Sequence, residues 1–283
     1  GSDHPKTLHT MNNLAAAYKG LGQSDKARDL YERTLEIKVR VHGPDHPSTM
    51  VTRMNLAGLL NDQNRLEEAE REYQAALKVA PEKSGPNDAR VAALDGLALI
   101  NKKRGNFQTA AEHAARAVEI ARGSMGPRHP TLIILLANLS SIRLEAKQLD
   151  AAERDAREAL ALAAETVGPR HATVLNPRRM LARILAAQGR YQEAADSLSE
   201  TIEMFPKWPE GLREAAISEV AKYYDQAGQP EKASAWRGRA PSTQPVTAPA
   251  TGPARSGRGL PRSLLSAQKK CPGRGEDVQG SGG

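Results

Sequence analysis

The sequence predicts an all-α chain: an α-solenoid of about six helix–turn–helix units over residues 1–238, followed by a disordered tail over 239–283. Three observations carry this expectation. A short punctuation motif recurs at a nearly constant step. Apolar residues within each step recur three and four positions apart. Composition then changes abruptly near residue 240.

The punctuation is Gly43-Pro44-Asp45-His46-Pro47. It recurs as Gly126-Pro127-Arg128-His129-Pro130 and as Gly168-Pro169-Arg170-His171-Ala172. Gly1-Ser2-Asp3-His4-Pro5 opens the chain on the same pattern, and Gly85-Pro86-Asn87-Asp88 is a weaker copy. The glycines at 1, 43, 85, 126 and 168 are separated by 42, 42, 41 and 42 residues. A fixed period of this size is the signature of stacked supersecondary units, each burying its apolar face against its neighbours. The units fall near 1–42, 43–84, 85–125, 126–167, 168–207 and 208–238.

Each unit divides into a helix A and a helix B. Unit one carries Leu14, Ala15, Tyr18, Ala27, Tyr31 and Leu35, and unit two carries Leu56, Ala57, Leu60, Ala69, Tyr73 and Leu77. Unit three continues with Leu97, Ala98, Ala110, Ala114 and Val118, and unit four with Leu139, Ile142, Ala152, Ala156 and Leu160. Unit five has Leu181, Ile184, Ala194, Leu198 and Ile202, and a shorter sixth copy ends the array with Tyr223, Ala233 and Trp236. This spacing lays one apolar stripe along each helix. Breaks near Gly22, Gly105 and Gly189 separate A from B, because a left-handed backbone costs glycine least. The small residue at 27, 69, 110, 152 and 194 lets the two helices approach closely.

Helix A starts where the His-Pro pair stands. Proline suits the first helical turn, and it pushes the preceding residue out of helical conformation. A metal site built from His4, His46, His129 and His171 is disfavoured. Equivalent positions in adjacent units are separated by a helix spacing of about 8–10 Å or more, whereas one ion needs ligands at about 2 Å.

The Asn-Leu-Ala motif at 13–15 and 55–57, with Gly22, Ala27, Tyr31, Leu35 and the Gly-Pro-Asp-His-Pro linker, resembles the tetratricopeptide repeat in its longer variety of about 42 residues, the kinesin-light-chain type. The stretch from Tyr223 to Ala233 with Trp236 and Arg237 resembles the end of repeat arrays attached to bacterial serine/threonine protein kinases. The first resemblance implies a right-handed superhelix whose A helices line a concave groove, and a protein-interaction scaffold that binds extended peptide segments there. Helix A positions not used for packing would then face a partner: Asn12, Asn13, Lys19, Asn55, Asn61, Lys102, Lys103, Asn138, Ser141, Arg179 and Arg183, with His9, Asp95 and Asn176 beside them. The peptide-contacting asparagine that the resemblance implies carries over only to Asn13, Asn55 and Asn138. Asn13, Asn55 and Asn138 share one slot, where an amide offers a donor and an acceptor to an extended backbone. Gly96 and Met180 interrupt that ladder. Lys19, Lys102, Lys103 and Arg183 would select acidic side chains, so the expected partner is a protein or peptide ligand with acidic groups. The competing reading is an ordinary wet helix face. A second reading is a regulatory or targeting arm of a larger bacterial signalling enzyme such as a serine/threonine kinase.

Other function classes find little support in the sequence. No phosphate loop, His-Glu-x-x-His, Gly-x-Ser-x-Gly, paired Cys-x-x-Cys or protein-kinase motif set is present, so no enzyme and no cofactor are expected within these residues. The lone Cys271 cannot form an intrachain disulfide. No apolar run approaches 18 residues, so no membrane contact is expected, and the cytoplasm is the expected compartment.

From Ala240 to Gly283, 14 of 44 residues are Pro or Gly. Such a segment buries too little apolar surface to offset its ordering entropy, hence the expected disorder. Six Lys or Arg against two acids place +4 of the formal +7 there. A basic tail invites a nucleic-acid reading. The cations are dispersed, however, with no aromatic residue between them for base stacking, so nucleic acid is not the expected partner.

Overall fold

The computed structural model describes residues 3–79, 89–205 and 211–239. All of these belong to the unit Gly1–Pro241; the second unit, Ser242–Gly283, and with it the predicted disordered tail, lies outside the described residues, as does the copy of the punctuation at 85–88.

Twelve α-helices and no strand are found among the described residues. They run as α1 (Pro5–Gly20), α2 (Ser24–His42), α3 (Pro47–Asp62), α4 (Leu66–Val79), α5 (Ala89–Lys103), α6 (Phe107–Met125), α7 (Thr131–Glu145), α8 (Leu149–Val167), α9 (Leu175–Ala187), α10 (Tyr191–Met204), α11 (Leu212–Gln226) and α12 (Pro230–Arg237). Odd-numbered helices are the A helices and even-numbered ones the B helices.

Two backbone devices set the repeat. Between A and B, one residue of each unit takes a left-handed conformation: Gly22 at φ 73°, Asn64 at 60°, Gly105 at 79°, Lys147 at 61°, Gly189 at 79° and Gly228 at 73°. Four of the six are glycine. Asparagine tolerates the conformation through local hydrogen bonding, and lysine has no such relief. Between B and the next A, Gly43, Gly126 and Gly168 end α2, α6 and α8 at φ 92–93°.

The punctuating histidines cap the helices that follow. His4 Nδ1 accepts from the Lys6 amide at 3.2 Å, and His46 Nδ1 from the Ser48 amide at 3.2 Å. His129 and His171 accept in the same way from Thr131 and Thr173, both at 3.3 Å. Each ring does the work of an N-cap side chain: those of His4, His46 and His129 satisfy an early N–H group of helix A, and that of His171 one in the 3-10 turn ahead of α9. Where Ala172 replaces the proline, the chain makes a 3-10 turn at Ala172–Val174 before α9 begins.

Ala27, Ala69, Ala110, Ala152 and Ala194 are all 0% exposed, as is Ala233 in the last pair. A methyl group at this slot permits close helix approach. The apolar core is a chain of three overlapping clusters, one spanning Ala15 to Ile100, one Val91 to Phe205 and one Ala152 to Trp236. One expected core residue departs from the pattern. Leu14 is 45% exposed, while its equivalents Leu56, Leu97, Leu139 and Leu181 are 3–5% exposed. Those four are covered partly by the preceding B helix, and among the described residues no such helix lies over Leu14.

Candidate functional site: the face of the A helices

Three of the five neighbouring pairs of A helices pack directly on one another: α1 on α3, α3 on α5, and α7 on α9. No comparable contact joins alternate B helices among the described residues. The A helices therefore form the tighter, inner row, and their outward ridge is the surface where the predicted groove residues belong.

Asn12 and Asn61 depart from the expectation that they face a partner. Each is 8% exposed. Asn12 Oδ1 accepts from the Thr52 hydroxyl at 3.0 Å, and Thr52 in turn accepts from the buried Lys38 ammonium at 2.9 Å. Lys38 also donates to the Ser48 carbonyl at 2.9 Å, and burial lowers its pKa. Asn12 therefore ties α1 to α3 rather than lining the groove. Asn61 has its side-chain oxygen buried without a partner, and its backbone carbonyl accepts from Lys103 Nζ at 2.6 Å.

Asn13, one residue after Asn12, is exposed, with its amide 3.0 Å from His9 Nε2. Asn55 is half-buried, and its amide makes no hydrogen bond among the described residues. The third amide of the slot, Asn138, donates to both carboxylate oxygens of Asp95, at 3.0 and 3.3 Å. Burial raises the Asp95 pKa, and the bond from Asn138 opposes that rise.

The predicted cations are mostly engaged between repeats. Lys19 pairs with Asp62 at 2.7 Å. Arg179 makes a two-pronged ion pair with Glu219 of α11, at 2.9 and 2.7 Å. Lys102 donates to the Ser141 hydroxyl at 2.6 Å. Its pKa is lowered, first by burial; Glu145 opposes that and Arg183 adds to it. Arg183 is exposed and makes no hydrogen bond or ion pair among the described residues, and the same holds for the exposed Asn176.

Some of these groups meet at a cavity of about 230 Å³ between α7 and α9, lined by Ala137, Asn138, Ser141, Asn176, Arg179, Met180 and Arg183. Five of the seven are groove residues singled out from the sequence, and Met180 is one of the two residues that break the asparagine ladder. A second cavity, of about 300 Å³, lies at α11 and α12 beside Lys222 and the Asp225–Arg237 pair. No group of three His, Cys, Asp or Glu is placed to hold a metal among the described residues. None of the helices searched there is long and apolar enough to cross a membrane.

Two participants escaped the sequence reading. Tyr73 of α4 pushes its ring against Gly96 of α5, and its hydroxyl oxygen lies 3.8 Å from where a side chain on Gly58 would begin. Burial, with Asp95 and Asp62 nearby, pushes its pKa up to about 12. Glu219 neutralises Arg179 from the next A helix. The signal for Tyr73 was present as a bulky residue facing a glycine one unit later. Glu219 had no signal beyond its own slot, where the other units carry Asn, Gly or Met.

Residues 6–82 match the family model described as tetratricopeptide repeat, and residues 83–247 match the MalT-like TPR region. A search of curated proteins gives no match. Among solved structures, the fold is similar to that of a Podosopora anserina protein described as a kinesin light chain with nearly identical TPR-like repeats. That match has a TM-score of 0.62 and 24% identity over 71% of this chain and 95% of the other. BtubC (BKLC) from P. vanneervenii is similar with TM-score 0.62 and 19% identity, covering 89% of this chain and 97% of the other. A tetratricopeptide repeat protein from Parabacteroides merdae is similar at TM-score 0.57 and 17% identity, over 82% and 77%.

Proposed function

Since the chain belongs to the tetratricopeptide repeat family, whose arrays mediate protein–protein interaction, we propose that it is a scaffold holding an extended peptide segment along its row of A helices. The observation that carries this is the open cavity between α7 and α9, with Asn176 and Arg183 uncommitted at its edge and Asn55 uncommitted further along the ridge. An extended peptide leaves its backbone N–H and C=O groups without a ladder, and an amide side chain can serve both. Asn55 and Asn176 supply such groups, while Arg183 favours an acidic side chain in the ligand. Lys19, Lys103 and Arg179 act on the ligand more weakly, because each is already held by an acceptor of the protein.

Selection of random peptides on the immobilised chain tests this. Selected peptides should bind the Asn55→Ala/Asn176→Ala variant about tenfold or more weakly, the loss of one to two hydrogen bonds at the ligand. The fold should hold, since surface changes of this kind cost under about 0.5 kcal/mol. Equal affinity for parent and variant would remove the A-helix ridge as the binding surface.

A further inference from the structure

Arg183 lines the α7–α9 cavity and Lys102 of α5 reaches its wall at Ser141; among the described residues neither cation has a carboxylate bonded to it. Arg183 has none of its five N–H donors engaged among the described residues, and Lys102 spends one of its three on Ser141 Oγ. The third cation of the cavity, Arg179, is already matched by the two oxygens of Glu219. Glu145, exposed in the last turn of α7, attracts Lys102 from a distance without bonding to it. Ser141 adds a directional element. Its oxygen accepts a hydrogen bond from the Lys102 ammonium, which leaves its own O–H to donate into the cavity. Asn176 brings an uncommitted amide from the opposite wall.

Resting on the peptide-groove reading above, we propose that this cavity is an oxyanion pocket for a phosphorylated serine or threonine of the bound peptide, with Arg183 and Lys102 as its charge partners and Ser141 and Asn176 as hydrogen-bond donors. The charge count favours phosphate over a carboxylate. A phosphorylated side chain brings about −1.5 to −2 and three acceptor oxygens, matching two unneutralised cations and two neutral donors. A carboxylate brings one charge and two oxygens, and so leaves one of the two cations without a charge partner in the ligand.

Degenerate peptide pools centred on phosphoserine, serine or glutamate, titrated against the full chain by fluorescence anisotropy, provide the test. The phosphoserine pool should bind at least about tenfold tighter than the serine pool, and tighter than the glutamate pool. Arg183→Ala should abolish that preference, bringing the phosphoserine pool down to the affinity of the serine pool on the same variant. Arg128→Ala, which removes an exposed charge paired with Glu165 and outside the cavity lining, should leave the preference intact. Phosphoserine and serine pools binding equally would overturn the pocket and leave the groove standing. Equal phosphoserine and glutamate binding would overturn the phosphate assignment, and a preference that survives Arg183→Ala would place the site elsewhere. Binding by none of the pools would bring down the groove reading itself.

Discussion

The ring of Tyr73, from the B helix of the second pair, occupies the space where a side chain on Gly96 of the next A helix would stand: a Cβ placed there would lie 2.2 Å from Tyr73 Cζ. Gly96 falls in the slot that carries Asn13, Asn55 and Asn138 in other units. The ladder of amides is broken at this point because the helix is packed from behind by a tyrosine, and the two features are one contact.

Gly96→Ala should therefore destabilise the chain by about 1–3 kcal/mol through overpacking, despite the higher helix propensity of alanine. Gly96→Asn, which restores the ladder, should cost more. Adding Tyr73→Ala to either should recover part of the loss, since the double change removes the clash. Denaturant unfolding of the singles and the double reads this coupling, and strict additivity would show the two residues to be independent.

Lys147 holds the left-handed turn between α7 and α8 at φ 61°, where four of the six units use glycine. Lys147→Gly should stabilise the array by about 1 kcal/mol, the cost of an ordinary side chain in that conformation. Lys147→Ala should give none of that gain. A lower unfolding midpoint for the glycine variant would contradict the backbone argument.

The histidine caps predict a graded series. His46→Ala leaves the Ser48 amide without its acceptor, and a lost N-cap costs about 0.5–2 kcal/mol. His46→Asp keeps a side-chain acceptor at the same distance along the chain and should recover most of it. If both variants match the parent in unfolding experiments, the ring is not acting as a cap.

Acid should weaken the junction of α8, α9 and α10. Burial alone would raise the pKa of Glu153, but bonds from Gln188, Arg157 and Arg190 outweigh it and bring the value from 4.5 to about 2. The folded value lies below the unfolded one, so this carboxylate stabilises the fold fully above pH 4.5 and loses that contribution as pH falls towards 2. The stability difference between the parent and Glu153→Gln should be present at neutral pH and shrink over that acid window. A difference that stays constant across the window would show that ionisation of Glu153 is not what matters.

Most of the architecture was legible from the chain alone. The step between punctuation motifs, the apolar stripes and the buried alanines at 27, 69, 110, 152 and 194 are properties of local backbone and of one repeated contact. Each copy reports the same answer, so the signal accumulates along the sequence. The histidines were read as boundary markers, and the rings of His4, His46 and His129 hold the start of the helices they precede, while that of His171 holds the 3-10 turn before α9.

The chemistry of the A-helix face was decided by tertiary structure. Asn12 and Asn13 are neighbours in sequence, yet one is buried against Thr52 and the other is exposed. Each residue turns a helix by about 100°, so the exact rotation of α1 against α3 separates a structural amide from an available one. The same holds for the cations: Lys19, Lys102 and Arg179 each find a partner about one repeat further on, at Asp62, Ser141 and Glu219. Whether a charge is spent within the protein or left for a ligand depends on side chains meeting across adjacent units. A repeating sequence specifies that units stack, but the few degrees and ångströms of their stacking determine that Arg183 has no partner among the described residues.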